Sequence, residues 1–315
     1  MVVSRRLARR ASLVALTGVA LVALGCVSND DDATEAPSET SAPPTTPADV
    51  SADEEFAELE RTYDARLGVY AVDTGTEQAI DYRADERFGH ASTFKALLCG
   101  AVLQQRSIVE LDQVVTYTSG DLVAHSPITE RGVQTGMTIR ELCDATVRFS
   151  DNAAANLLLE EIGGPSGLQE ALRENGDDVI STDRYEIEMS EAVPGDTRDT
   201  STPRSIGTSL RTFVLGGALP EDRRALLTDW LMGNTTGDAL IRAGVPDDWT
   251  VGDKTGTGGY GTRNDIAVAW PPDRDPVVIA VLSSRDQDGA DHADQLIADA
   301  AAVVVAALAE ASPGS

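Results

Sequence analysis

The order of the predicted elements constrains the fold of this 315-residue chain more than any other feature. About 150 residues with helical periodicity, from about 83 to 232, separate two groups of predicted strands. The strands are predicted over 67–74, 78–82, 249–254, 264–270 and 276–283. A first helix, opened by a capping box of Ser51 and Glu54, is predicted to run through about Arg66, and a last helix over about 290–309.

This order predicts an α/β (α+β) fold, in which an antiparallel five-stranded sheet is flanked by the terminal helices. The helical stretch becomes an all-α lobe inserted into the sheet domain, and the whole folded domain is expected to cover 56–312. A cleft between two lobes is a common place for a binding or active site, so candidate residues are sought where the lobes meet.

The N-terminus predicts export. Residues 1–25 combine four arginines with an apolar run that is too short to span a bilayer, as in a signal peptide. Ala23-Leu24-Gly25-Cys26 resembles a bacterial lipobox, although Leu is usual where Ala23 stands, and it predicts a lipid on Cys26 and a membrane lipoprotein facing outside the cytoplasm. Ordinary cleavage with secretion is the alternative, and two pairs of arginines leave a twin-arginine route open.

Residues 26–55 are predicted to be a disordered acidic tether behind the lipidated cysteine. The segment 28–55 holds four prolines, eight Ser or Thr, nine acids and no basic residue. Such a composition buries too little apolar surface to offset the entropy of ordering.

The net charge of −27 argues against a partner nucleic acid, which needs a basic face. The linker contributes nine negative charges and the signal peptide four positive ones, which leaves −22 on 56–315. Only two of the 25 basic residues are lysines, Lys95 and Lys254. Lysine can release its proton and arginine effectively cannot, so these two positions are candidates for chemistry.

The remaining cysteines and the histidines give weaker signals. If Cys26 is lipidated, Cys99 and Cys143 form a pair, which in an exported protein indicates either a disulfide or two buried free thiols. His90, His125 and His292 lack the spacing of metal ligands, so no metal and no cofactor is expected. His90 is expected to serve packing.

Ser92-Thr93-Phe94-Lys95 precedes an apolar, helix-compatible run over 96–103. Ser92 is therefore expected near a helix N-terminus, where free backbone N–H groups favour a developing alkoxide and oxyanion. Lys95 lies three residues on, on the same helix face, and a desolvated lysine can be the base that a serine nucleophile needs. Taken alone, this motif favours the plainer interpretation of an N-cap serine with a surface lysine.

Two further short motifs follow. Ser150-Asp151-Asn152 precedes a helix-like run over 153–161, where Ser150 could relay a proton, Asn152 could bind a substrate amide, or the motif could be an Asx cap without function. Lys254-Thr255-Gly256 closes a predicted strand, where Lys254 could hold an anion and Gly256 could let a ligand backbone approach the strand edge. The alternative is a solvent-exposed strand end before a Gly-rich turn.

The three motifs, in this order and wide spacing, resemble those of the penicillin-interacting serine enzymes, the β-lactamases and penicillin-binding proteins, over about 55–312. A fourth segment, 184–190 (RYEIEMS) continuing to 196–199 (DTRD), resembles the omega loop of class A (serine) β-lactamases. The resemblance implies a β-lactamase/transpeptidase-like fold, hydrolysis of β-lactam antibiotics through a serine acyl-enzyme, and antibiotic resistance. It also implies small-molecule β-lactams as partners, a membrane contact only through the lipid, and a monomer.

The resemblance assigns roles to named residues. Ser92 is the implied nucleophile, and either Lys95 or Glu186, through a water, is its base. Ser150 passes a proton to the leaving nitrogen, Glu186 activates the deacylating water, and the backbone N–H groups of Ser92 and Thr257 form the oxyanion hole. The implied substrate-binding residues are His125, Asn152, Lys254, Thr255, Gly256, Thr257 and Arg263. The implied structural pairs are Arg184 with Asp199, which staple the omega loop, and Cys99 with Cys143, at the place of a disulfide in one branch of the family.

The chain departs from the family pattern at the cleft. His125 stands where Tyr or Trp is usual, and Ser190 replaces the usual Asn, which predicts slow deacylation of some substrates. Ala91 and Gly258 stand where one carbapenem-hydrolysing branch has a disulfide, which disfavours that branch. The rival functions are a D,D-peptidase, against which Glu186 argues, a β-lactam receptor without turnover, and a surface lipoprotein with chance motifs.

Overall fold

The computed structural model describes residues 51–311. The signal peptide, Cys26 and the linker up to residue 50 lie outside the described residues. The strands are β1 (Arg66–Asp73), β2 (Ala79–Tyr82), β3 (Phe88–Gly89), β4 (Val114–Val115), β5 (Met137–Thr138), β6 (Thr200–Ser201), β7 (Thr250–Thr257), β8 (Arg263–Trp270) and β9 (Val277–Ser284). The α-helices are α1 (Asp53–Tyr63), α2 (Phe94–Gln105), α3 (Thr129–Gly132), α4 (Ile139–Arg148), α5 (Asn152–Glu161), α6 (Gly164–Glu174), α7 (Pro203–Val214), α8 (Glu221–Met232), α9 (Ile241–Gly244) and α10 (Asp294–Ala311).

The five-stranded sheet has the order β2-β1-β9-β8-β7, and every neighbouring pair is antiparallel, which confirms the predicted sheet. The β1–β2 hairpin turns at Asp73, whose Oδ1 accepts hydrogen bonds from the backbone N–H groups of Gly75 and Thr76 at 2.8 and 3.1 Å. Seven of the eight residues of β1 are buried, because helices cover both faces of the sheet.

The terminal helices α1 and α10 pack against each other and against one face of the sheet. The predicted capping box is wrong, because the N-cap of α1 is Ala52 and no side chain caps the helix. Three acids, Asp53, Glu54 and Glu55, fill the first turn instead, where the helix dipole favours negative charge. Within 51–311 no helix is both long and apolar enough to cross a membrane.

The inserted lobe is built around α2. This helix contacts α4, α5, α6, α7 and α8, and its residues from Phe94 to Leu103 are all buried, which explains why this stretch is apolar on every face apart from Lys95. The predicted lobe of 83–232 needs two corrections. It is not purely helical, since the two-residue strands pair as β3–β6 and β4–β5. In addition, α7 lies against β1, β8 and β9 and covers the second face of the sheet.

The predicted disulfide is absent from the structure, in which Cys99 and Cys143 are free, buried thiols. Cys99 Sγ donates to the backbone carbonyl of Cys143 at 3.7 Å, so the pair joins α2 to α4 without a covalent bond. Burial raises the pKa of the Cys99 thiol well above its usual value, which keeps it from forming the reactive thiolate.

Candidate active site

Ser92 lies in a 3₁₀ turn, Ala91–Thr93, that runs directly into α2. The turn begins with Ala91 at φ 44°, a left-handed conformation that is costly for a residue other than glycine. Ser92 is nearly buried and its Oγ donates to Glu186 Oε1 at 3.2 Å. Lys95, one helical turn on, is fully buried, so the interpretation of a surface lysine is wrong.

The ammonium of Lys95 contacts Ser150, Asn152 and Glu186. Its Nζ donates to the carbonyl oxygen of Ser150 at 2.8 Å and to Asn152 Oδ1 at 2.5 Å. It also lies 3.2 Å from Glu186 Oε1 and 3.3 Å from Ser150 Oγ. An ammonium has three N–H donors, and here all three have acceptors within reach.

In the Ser150-Asp151-Asn152 segment, Asp151 has a structural role, and Ser150 and Asn152 lie at the site. Asp151 is the N-cap of α5 and accepts from the backbone N–H groups of Ala154, Ile128 and Thr129, each at 2.9 Å. Ser150, at φ 55°, is thereby turned toward the lysines, and Asn152 toward the cleft. The Asx cap is therefore confirmed for Asp151, whereas the functional interpretation of Ser150 and Asn152 stays a prediction.

Lys254, on β7, is fully buried, and its Nζ donates to Ser150 Oγ at 3.1 Å. The hydroxyl of Ser150 thus contacts both lysines of the chain. The predicted role of Gly256 toward a ligand stays a prediction, and the structure shows a role in packing. A Cβ there would lie 3.0 Å from the carbonyl oxygen of His90 and 3.3 Å from the Cβ of Ala91, so this glycine lets β7 lie against the Ser92 turn.

Glu186 reaches the site from the omega loop, and 3% of the residue is exposed. Asn156 of α5 fixes its backbone, because the Asn156 amide donates to the Glu186 carbonyl at 2.8 Å and accepts from its N–H at 2.9 Å. Ser190 Oγ donates to Glu186 Oε2 at 3.0 Å. Both carboxylate oxygens are thus oriented by neighbours.

The structure brings Arg184 and Asp199 together at the two ends of the omega loop. Arg184 Nε and Asp199 Oδ2 lie 2.5 Å apart, and Asp199 Oδ1 accepts from the backbone N–H groups of Asp183 and Arg184 at 2.7 and 3.1 Å. Asp199 is 1% exposed, so this ion pair is shielded from water on one side.

At the other end of the cleft, Arg263 on β8 contacts the end of β7. Its Nη1 donates to Thr257 Oγ1 and its Nε to Asp294 Oδ1, each at 2.6 Å. Thr255 Oγ1 lies 2.6 Å from Thr236 Oγ1. The guanidinium of Arg263 and the hydroxyls of Thr236, Thr255 and Thr257 therefore form a polar end of the cleft that is suited to binding a carboxylate.

These elements enclose a cleft of about 390 Å³. Its lining residues are Ser92, His125, Ser150, Asn152, Glu186, Ile187, Ser190, Thr236, Thr255, Thr257 and Arg263. His125 stands at the mouth with an exposed side chain whose Nε2 lies 3.1 Å from the carbonyl oxygen of Phe149. His90 is fully buried against Phe94, with ring centroids 5.5 Å apart, and serves packing as predicted.

Burial is the largest influence on the ionisable groups of the site. It lowers the pKa of Lys95, against the opposing charge of Glu186. Burial and the charge of Lys95 lower the pKa of Lys254 to about 7. Burial alone would raise the pKa of Glu186, but the charge of Lys95 and hydrogen bonds from Ser190 and Ser92 bring it below its usual value. The site therefore holds a carboxylate whose pKa lies below its usual value beside two lysines whose pKa values also lie below theirs.

Three supporting residues are missed by the sequence analysis. Asn156 follows Asn152 by four residues, and this helical spacing is a signal that could have identified it. Thr236 lies in the loop between α8 and α9, and Asp294 opens α10, so only the tertiary fold brings them to the cleft. No local pattern marks either one.

A serine hydroxyl that donates to a buried carboxylate, with a buried lysine beside that carboxylate, at the junction of a sheet and a helical lobe, defines a serine acyl-transfer enzyme. The model of the β-lactamase enzyme family matches residues 51–308. The chain is 61% identical to a β-lactamase of Amycolatopsis lactamdurans over 266 residues, which is 84% of this chain and 88% of that protein. It is 52% identical to a β-lactamase of Bacillus licheniformis over 303 residues, 96% of each.

Solved structures agree. The crystal structure of a class A β-lactamase from Clostridium kluyveri DSM 555 superimposes with a TM-score of 0.81 at 49% identity, covering 82% of this chain and 98% of that one. A halotolerant bacterial β-lactamase gives 0.81 at 56% identity, covering 82% and 100%. The chain belongs to the β-lactamase enzyme family, and it is a class A serine enzyme that hydrolyses β-lactams.

Proposed function

We propose that Ser92 opens the β-lactam ring and that Glu186 is the base in both halves of the reaction. The observation that carries this proposal is the direct hydrogen bond of 3.2 Å from Ser92 Oγ to Glu186 Oε1. Lys95 is the rival base, but its Nζ donates to the Ser150 carbonyl and to Asn152 and faces Glu186, which is the arrangement of a charged ammonium. Its charge helps to keep Glu186 ionised.

In acylation, Ser92 Oγ bonds to the lactam carbonyl carbon and its proton passes to Glu186 Oε1. The backbone N–H groups of Ser92 and Thr257 hold the oxyanion, and loss of one such donor typically costs about 10²–10³ in rate. When the C–N bond breaks, the ring nitrogen takes the proton of Ser150 Oγ, which Lys254 or Lys95 replaces across 3.1 or 3.3 Å. The proton on Glu186 then returns to the lysines through Lys95, 3.2 Å away.

In deacylation, Glu186 again accepts a proton, now from the water whose oxygen bonds to the ester carbon. The bond from that carbon to Ser92 Oγ then breaks, and Glu186 Oε1 returns the proton to Ser92 Oγ across 3.2 Å. Ser190 orients the carboxylate through Oε2 and leaves Oε1 for the proton transfer. A hydroxyl offers fewer hydrogen-bonding groups than the amide of the usual Asn, so Ser190 holds such a water less firmly. This supports slow deacylation of some substrates.

The substrate carboxylate is proposed to bind at Lys254, Thr255, Thr257 and Arg263. This polar end is needed because the −22 charge of 56–315 repels an anionic antibiotic at long range. The ion pair of Arg263 with Asp294 fixes the guanidinium in place and also offsets part of its charge. Asn152 lines the cleft opposite, and its amide nitrogen, which donates to the Ala124 carbonyl, keeps a second hydrogen for a substrate amide.

Product formation beyond one equivalent of enzyme tests the activity. With the full chain, a chromogenic cephalosporin and a penicillin, we expect sustained turnover that Ser92→Ala abolishes. A single burst with a stable adduct on Ser92 would point to a D,D-peptidase or a receptor.

Rapid-quench measurement of adduct formation separates the two candidate bases. We expect Glu186→Gln to slow acylation by about 10²–10⁴-fold, the usual range for a general base. Acylation at the wild-type rate followed by a trapped adduct would leave Glu186 only its deacylation role and would favour Lys95 as the first base.

We also propose that the enzyme is exported, anchored by a lipid on Cys26 and active as a monomer, and that it confers β-lactam resistance. The support is the signal-like 1–25, the lipobox-like 23–26 and the acidic linker. Detergent phase partition should place the activity with the membranes, and Cys26→Ser should release it. Activity of the unsubstituted enzyme in the soluble fraction would indicate ordinary secretion. Light scattering measures whether the enzyme is a monomer. The antibiotic concentration that stops the growth of a host expressing the enzyme measures resistance.

A further inference from the structure

A second cavity, of about 420 Å³, lies on the inserted lobe, where α3, α4 and α8 each contribute residues to its lining. We call it the lobe groove. Ile128, Arg131, Met137 and Trp230 are among its lining residues, and none of its lining residues also lines the catalytic cleft. Its volume is within the range of sites that hold one small organic molecule.

Arg131, on α3, is an unpaired cation of the lobe groove. Within 51–311 the guanidinium of every other arginine makes a hydrogen bond, whereas Arg131 makes neither a hydrogen bond nor an ion pair. The chain has 52 acidic residues against 25 basic ones, so a shortage of acids does not explain this. The planar guanidinium offers five N–H donors in a geometry that matches the oxygens of an acid group.

Trp230, on α8, offers a second donor without an acceptor. Only 3% of this residue is exposed, yet its indole N–H makes no hydrogen bond to any residue of 51–311. A buried tryptophan usually finds an acceptor for this group, because an unpaired buried donor is unfavourable. An acceptor atom of a molecule bound in the lobe groove would supply the missing partner.

The two acids that line the lobe groove already have donors. Glu141 Oε2 accepts from the backbone N–H and the hydroxyl of the N-cap residue of α4 at 2.8 and 2.9 Å. Asp144 Oδ2 accepts from Arg148 Nε at 2.8 Å. The other cation of the groove, Arg140, donates to Asp112 Oδ1 at 3.0 Å. A bound anion would therefore supply acceptors that the groove's own acids do not give to the two free donors.

The remaining surface of the lobe groove favours a ring as the body of that anion. Ile128 is half-buried there and Met137 is 8% exposed, so both present apolar surface to the groove. A methionine sulfur packs favourably against an aromatic ring, and a guanidinium such as that of Arg131 stacks on one. An alkyl chain would gain neither contact.

We propose that the lobe groove is a binding site for a small aromatic anion, a ring system that carries one carboxylate or sulfonate. The acid group accepts hydrogen bonds from the guanidinium of Arg131 and the indole N–H of Trp230, and the ring lies on Ile128 and Met137. This site binds its ligand without converting it and is separate from Ser92.

The test uses 8-anilinonaphthalene-1-sulfonate, an aromatic sulfonate whose fluorescence rises in an apolar site. The full chain carries Cys26→Ser, so that no detergent competes for the probe. We expect Arg131→Gln to raise the Kd of the probe about tenfold, the low end for loss of a hydrogen bond to a charged group. N-phenyl-1-naphthylamine, the same ring system without the sulfonate, should bind equally well before and after this substitution.

The indole N–H signal of Trp230 in a ¹⁵N NMR spectrum, identified with Trp230→Phe, locates the probe. It should shift when the probe is added, while the signals of Trp249 and Trp270, which do not line the groove, stay in place. Arg61→Gln is the matched control, because Arg61 is an exposed arginine on α1 and should leave the Kd unchanged. Absence of binding, an equal Kd in Arg131→Gln, or a Trp230 signal that stays in place while the probe binds would each overturn the proposal.

Discussion

The two walls of the cleft are built in opposite ways. The β7 wall, with Lys254, Thr255 and Thr257, is a regular strand whose side chains alternate by sheet register. The omega-loop wall, with Glu186 and Ser190, is held by a few polar contacts from Asn156 and Asp199. A strand distributes its stability over many hydrogen bonds, whereas the loop depends on a few.

This difference matches the chemistry of each wall. Binding a carboxylate needs a fixed array of donors, which a strand and its neighbour provide. Moving protons on and off Glu186 needs a carboxylate held within hydrogen-bond reach of the reacting oxygens. Changes on the loop side are therefore expected to act on kcat, and changes on the strand side to act on KM.

The largest expected effect comes from the loop anchor. Asp199→Ala leaves Arg184 without its buried partner, and we expect the free energy of unfolding to fall by about 3 kcal/mol, the low end for breaking such a pair. Urea denaturation measures it. Asp196→Ala, which breaks an exposed Arg–Asp pair on the same loop, is the control and should change stability little. Equal losses would mean that the loop is not anchored at Asp199.

Ser190→Ala should act on turnover. Loss of a hydrogen bond to a charged group costs about 1.5–3 kcal/mol, so we expect kcat to fall roughly ten- to a hundredfold while acylation is less affected. Because the Ser190 hydrogen bond lowers the pKa of Glu186, its removal raises that pKa and moves the acidic limb of the kcat profile to higher pH. A profile that keeps its position would show that Ser190 does not tune this carboxylate.

Lys254 makes the strand wall sensitive to pH. Its pKa of about 7 means that the ammonium is charged below pH 7 and becomes neutral above it. For an anionic penicillin, kcat/KM should fall about tenfold per pH unit well above pH 7, carried by KM. The Lys254→Arg variant keeps its positive charge above pH 7, so its kcat/KM should no longer fall with pH there, even if its overall rate differs. The methyl ester of the substrate should show no such rise in KM.

The smallest effect is expected at Thr236, which lines the cleft beside Thr255 of the strand wall. Thr236→Val removes the hydroxyl contact with Thr255, and we expect KM to rise roughly two- to tenfold with little change in kcat, the value of one ordinary hydrogen bond. Steady-state kinetics measure it. A fall in kcat without a change in KM would contradict the division between the two walls.

The sequence predicts what depends on local geometry. The i, i+3 spacing of Ser92 and Lys95 places both on one helix face, and strand periodicity places Lys254 next to the cleft. Glu186 is predicted only through family resemblance, because nothing in a loop sequence fixes where its carboxylate lies. The left-handed backbone of Ser150 and Asp199 follows from tertiary contacts, and so do the pairing of Arg263 with Asp294 and the role of Gly256.

The burial of Lys95 and Lys254 has a consequence outside catalysis. They are the chain's only lysines, so the positive charge on the surface is carried by arginines, which stay protonated and are poor nucleophiles. Strained lactams acylate free amines, and so do common labelling reagents and cross-linkers. Neither lysine is exposed, so such reagents meet no lysine on the surface of this protein.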